Sequence, residues 1–69
     1  MGVKVTLKAL RVNNGLNQEQ AAELVGVNRM TWYNWENHRT NPDSEQIDSI
    51  LKKFNVDYND VNFLRPNPV

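Results

Sequence analysis

The 69-residue chain has no cysteine and only one histidine, His38. Without cysteine there is no disulfide, no thiolate zinc site and no thiol nucleophile, and a lone imidazole has no second histidine with which to build a metal centre. The sequence also shows no serine-histidine pairing at a recognisable spacing and no phosphate-binding glycine loop, and Asp57 and Asp60 read as helix-capping acids. Catalysis is therefore not expected, and no cofactor or small-molecule ligand is indicated. No apolar run approaches the roughly 20 residues of a membrane-spanning helix, and residues 1–10 lack the unbroken apolar core of a secretory signal. The expected setting is the cytoplasm, with no membrane partner.

Net charge is missing as well, since eight basic residues balance eight acidic ones. Zero net charge weighs against a polyanion partner, because phosphate neutralisation usually needs a basic excess. The distribution softens this. Residues 1–41 hold five basic side chains (Lys4, Lys8, Arg11, Arg29, Arg39) against three acidic ones (Glu19, Glu23, Glu36), and the imbalance reverses from Pro42 onward. That asymmetry fits a chain whose first part faces a polyanion and whose last part faces away.

At this length one apolar core must hold a single domain together without metal or disulfide support. The domain is expected over residues 1–64. Residues 65–69, with Pro66 and Pro68, form an extended or mobile tail. Val3, Leu7 and Leu10 recur at helical spacing, and Asn13-Asn14-Gly15 closes that first helix. Asn17 caps a second helix over residues 18 to about 25, with Gln20 reaching back and Leu16 and Ala21 as a hydrophobic staple. Gly26 ends it, and Asn28 caps a third helix from residue 29 to about 37.

In that third helix Trp32 and Trp35, three apart, share one face, which leaves Arg29, Met30, Tyr33 and Asn34 to point elsewhere. A polar loop with Pro42 follows, then Asp43 with Gln46 as a capping pair. Ile47, Ile50, Leu51 and Phe54 form the apolar stripe of a fourth helix that stops at Asn55. Asp57 is expected to cap a short fifth helix carrying Val61 and Leu64. No segment alternates with period two for long enough to argue a strand. The fold expected is all-α, a compact bundle of five short helices.

Over roughly residues 7–64 the sequence resembles the phage repressor and Cro class of helix-turn-helix domains, with the motif at 18–37. The residues that carry the resemblance are Gly15-Leu16-Asn17-Gln18, small Ala22, turn Gly26, Val27, Trp32, Trp35, Glu36, Pro42 and the stripe of the fourth helix. Two helices that cross steeply over a short turn need a small residue at the contact and positive φ at the turn, and Ala22 and Gly26 meet both demands. The resemblance further implies a partly buried ion pair between Arg11 and Glu36, which would tether the third helix to the scaffold. Three residues depart from the family pattern. His38 replaces a glycine, Ala21 replaces a larger aliphatic whose volume Trp32 is expected to fill, and Leu24 stands where the family is polar.

The resemblance implies a sequence-specific regulator, a repressor or Cro-like protein of phage, prophage or bacterial origin. It would occupy a palindromic double-stranded operator through its third helix. A helix fits the major groove, so Asn28, Arg29, Met30, Tyr33 and Asn34 are the candidate base readers. Arg29 would fork onto guanine, Asn34 onto adenine, and Met30 would pack on a thymine methyl. Gln18 is the foremost phosphate-contact candidate, with Asn17, Asn37, Arg39 and Thr40 beside it. Binding as a homodimer is expected, through the fifth helix and tail with Val61, Phe63 and Leu64. With no second domain to dimerise or sense a ligand, the free protein is expected to be a monomer or weak dimer. The competing function is a helix-turn-helix interaction module, of antitoxin or partner-docking type, that binds DNA weakly or not at all. Zero net charge, Glu19 and Glu23 on the second helix, and apolar Leu24, Met30 and Tyr33 support it.

Overall fold

A computed structural model describes residues 4–63. Its elements are β1 (Val5–Thr6), α1 (Leu7–Asn13), α2 (Gln18–Val25), α3 (Arg29–Glu36), α4 (Ser44–Phe54), a 3-10 turn (Tyr58–Asp60) and β2 (Val61–Asn62). No helix among the described residues is long and apolar enough to cross a membrane.

Each helix begins on a side-chain cap that satisfies an otherwise orphaned backbone N–H. Thr6 Oγ1 accepts from the Ala9 amide at 3.1 Å to start α1. Asn17 and Gln20 exchange bonds at the start of α2, at 2.7 and 2.9 Å, and Asp43 and Gln46 do the same for α4. Asn28 Oδ1 accepts from the Thr31 amide at 2.8 Å and starts α3. Gly26, at φ 82°, lies in the left-handed region that a Cβ disfavours and turns the chain between α2 and α3. Asn55 closes α4 in the same region at φ 56°.

Packing follows from these turns. α2 packs chiefly on α3, with Ala21 and Ala22 fully buried where a larger side chain would hold the helices apart. Trp32 is completely enclosed, its ring 5.7 Å from that of Trp35 and 6.1 Å from that of Phe54. Both Ala21 and Trp32 belong to one core cluster, together with Leu7, Leu10, Ile50 and Phe54. Ser49 Oγ donates to the Val25 carbonyl at 3.3 Å and joins α4 to the end of α2.

Four expectations need correction or completion. The expected fifth helix is a single 3-10 turn, for which the Asp57 side chain makes no cap bond, followed by strand β2. β2 pairs in parallel with β1, Val5 opposite Val61 and Thr6 opposite Asn62, so the described residues form four helices and a small strand pair. Helix α1 starts only at Leu7, because Val5 and Thr6 are committed to that pairing and Thr6 is the cap. Val61 and Phe63 cannot form an exposed dimer surface, since they are 1 % and 7 % exposed and serve the domain's own core. Leu64 and the tail at 65–69 lie outside the described residues, as does Val3.

The loop after α3 holds His38 at φ 58°, in the left-handed region. Leu24 is 39 % exposed on the outside of α2.

Candidate nucleic-acid interface

The two faces of α3 differ in chemistry. Trp32 and Trp35 point into the core, and Arg29 and Met30 point into solvent, with Tyr33 and Asn34 half-buried between them. The side chains of Arg29, Tyr33 and Asn34 make no hydrogen bond or ion pair with other described residues, so their donors and acceptors are open to an external partner. Met30, at 56 % exposed, adds an apolar surface beside them.

The asparagines are more constrained. Asn28 has its Oδ1 committed to the helix cap, which leaves only the Nδ2 donors for an external acceptor. Asn17 is in the same position at the start of α2. At the end of α3, Asn37 Nδ2 donates to the Tyr33 carbonyl at 2.9 Å, and the Arg39 amide donates to the Asn34 carbonyl at 2.9 Å. These bonds hold the following loop against α3, with the side chains of Arg39 and Thr40 exposed.

Beneath this surface the Glu36 carboxylate collects donors from three helices. Arg11 of α1 gives Nε to Oε2 at 2.6 Å and Nη2 to Oε1 at 3.3 Å. Trp32 Nε1, one turn back on α3, also donates to Oε2. Gln18 Nε2, at the first residue of α2, donates to Oε1 at 3.1 Å. The third Arg11 branch, Nη1, donates to the Leu16 carbonyl at 2.9 Å and so fixes the chain entering α2. The Glu36 and Arg11 side chains are 4 % and 13 % exposed, and every buried side-chain nitrogen or oxygen among the described residues has a partner.

Burial alone would raise the Glu36 pKa, but the hydrogen bonds from Arg11, Gln18 and Trp32 and the Arg11 charge outweigh it. Together they hold the carboxyl below its ordinary value. The network thus positions the start of α2 and the end of α3 relative to α1.

The structure brings Arg11 and Glu36 together, and it gathers Arg29, Met30, Tyr33 and Asn34 on one outward side of α3. The side chain of Gln18, expected from sequence to contact a phosphate, gives one of its two Nε2 hydrogens to Glu36. Sequence reasoning missed the Trp32 and Gln18 bonds. The four-residue spacing of Trp32 and Glu36 on a single helix was a usable signal for the first, whereas nothing local marks the second.

Two short helices joined through a left-handed glycine, with small residues buried on the second helix of the bundle and an open polar face on the third, define a helix-turn-helix domain. The family model described as a helix-turn-helix domain matches residues 6–62, and the chain belongs to that family, in its XRE-like branch. Among curated proteins it is similar to the antitoxin PezA of Streptococcus pneumoniae serotype 4. The two are 38 % identical over 55 residues, which is 80 % of this chain and 35 % of that protein. The chain therefore spans about a third of the length of this relative. No solved structure matches the chain.

Proposed function

We propose that this protein is a sequence-specific double-stranded DNA binder that regulates transcription by laying α3 in the major groove of an operator. The observation that carries the reading is the outer face of α3, where Arg29, Tyr33 and Asn34 present unsatisfied hydrogen-bonding groups on a helix whose inner face is locked into the core. Arg29 forks onto guanine O6 and N7, Asn34 pairs with adenine N6 and N7, and Met30 packs on a thymine methyl. Asn28 contributes a donor only. Exposed Arg39 and Thr40, with the Nδ2 groups of Asn17 and Asn37, reach the flanking phosphates and set register without reading sequence.

One domain of this size covers a single half-site. Two copies, each 31 Å in longest extent, fit side by side on half-sites one helical turn, about 34 Å, apart. Assembly on a palindrome therefore supplies the area that one recognition helix lacks.

A second reading has its own support. The relative is an antitoxin, the net charge is zero, and Leu24 and Met30 are exposed apolar residues on α2 and α3. In that reading the domain docks a protein partner and binds DNA weakly.

Selection from a random duplex pool at two salt concentrations separates the two. A salt-dependent palindromic enrichment that Arg29→Ala abolishes is the result expected for the regulator. No retention of any duplex at low salt would overturn it in favour of the docking module.

A further inference from the structure

Gln18 sits at the first residue of α2 beside a carboxylate that is nearly sealed from solvent. A carboxylate only accepts hydrogen bonds, so the amide facing it must present its nitrogen, and Gln18 Nε2 does so at 3.1 Å from Glu36 Oε1. Because Arg11 and Trp32 hold Glu36 in place, the Gln18 amide cannot exchange its nitrogen and oxygen ends without setting oxygen against oxygen. Oε1 is therefore kept on the side away from Glu36, and it accepts no hydrogen bond from any described residue. Gln18 is itself only half-buried.

That oxygen is a poor partner for a phosphate, which also offers only acceptors, so a phosphate contact would have to come from the second Nε2 hydrogen. The oxygen suits the exocyclic amines that adenine N6 and cytosine N4 display in the major groove. We infer that Gln18 is a specificity residue whose Oε1 accepts from an adenine or cytosine amine at the edge of the sequence read by α3, with Glu36 as the positioning residue that sets its orientation. This inference rests on the DNA-binding reading above. The phosphate contact expected of this side chain from sequence is the competing role.

The test is the duplex-pool selection with the wild-type protein, Gln18→Met and Gln18→Lys, each first checked for a native circular dichroism spectrum and melting profile. If the wild-type protein enriches no sequence, the DNA-binding reading itself fails. If it does, Gln18→Met is expected to lose about fivefold discrimination at one base pair of each half-site, the effect of one hydrogen bond, with the other positions unchanged. Gln18→Lys, which only donates, is expected to shift that pair toward guanine.

A phosphate role predicts otherwise. Gln18→Lys would then tighten binding to all sequences alike and steepen the salt dependence, and no base preference would change. That result overturns the inference. So does a Gln18→Met profile in which only the guanine preference assigned to Arg29 declines, because the oxygen would then be serving Arg29 and not the DNA.

Discussion

The inner and outer faces of α3 lie on the same eight residues, yet they obey opposite rules. On the inner side every buried side-chain polar atom is answered: Trp32 Nε1 meets Glu36, and Glu36 meets Arg11 and Gln18. On the outer side Arg29, Tyr33 and Asn34 are left open and Met30 is bare. An unpaired polar group costs kilocalories in the core and almost nothing in water, so the first arrangement confers stability and the second confers capacity to bind. Changes on the two faces should accordingly separate into changes of folding and changes of recognition.

The largest effect expected is at the inner face. Trp32→Ala should cost about 3–5 kcal/mol of stability, most of what a domain of this size has, and urea denaturation is expected to show little or no folded baseline. Glu36→Ala is next. It strands Arg11, Trp32 and Gln18 with an uncompensated buried cation and should cost about 3 kcal/mol, read as a lower urea midpoint with an unchanged slope.

Glu36 also predicts a pH dependence. Its carboxyl titrates below its ordinary value of 4.5 in the folded protein. Its stabilising contribution is therefore complete above the unfolded value and is lost as pH falls through the lower, folded one. Urea midpoints measured from about pH 6 down to about pH 3 should fall for the wild-type protein and fall less steeply for Glu36→Gln.

On the outer face, Arg29→Ala should leave the melting temperature unchanged within error and cost about 1–3 kcal/mol in operator binding, by direct titration. Any loss of stability comparable to that of Glu36→Ala would break the distinction between the faces. The smallest effect is expected at the end of α4. Asn55→Gly relieves a left-handed residue, and the gain, offset by glycine's freedom in the unfolded chain, should be at most about 0.5 kcal/mol, seen as a slightly raised melting temperature.

The parts of the fold that sequence reading recovered are those whose determinants are local. The Asn17-Gln20 and Asp43-Gln46 pairs, Gly26, Asn28 and Asn55 each announce a helix end within four residues. The core positions of α3 and α4 follow from their apolar spacing. What escaped reading depends on distant partners. Strands of two residues have no period to detect, and β1 and β2 acquire their identity only from each other across almost the whole described chain. Val61 followed three residues later by Leu64 imitates a helical repeat, which is why the sequence suggests a fifth helix where a 3-10 turn and strand occur.

The candidate site divides in the same way. The outward side of α3 was legible from the placing of Trp32 and Trp35, and the family resemblance brought in Arg11 with Glu36. The orientation of Gln18 was not legible, because it is set by a carboxylate eighteen positions later whose own position depends on α1.

The pairing of β1 with β2 bears on the order in which the molecule comes together. α2, α3 and the turn between them need only near neighbours, so they can form early, whereas Val61 reaches its seat beside Val5 only after nearly the entire domain has left the ribosome. Closing a contact of such long sequence separation is slow relative to forming helices. The β1–β2 pair is thus expected to close last, and until it does a nascent chain would carry α3 on a scaffold whose core is still open at one end.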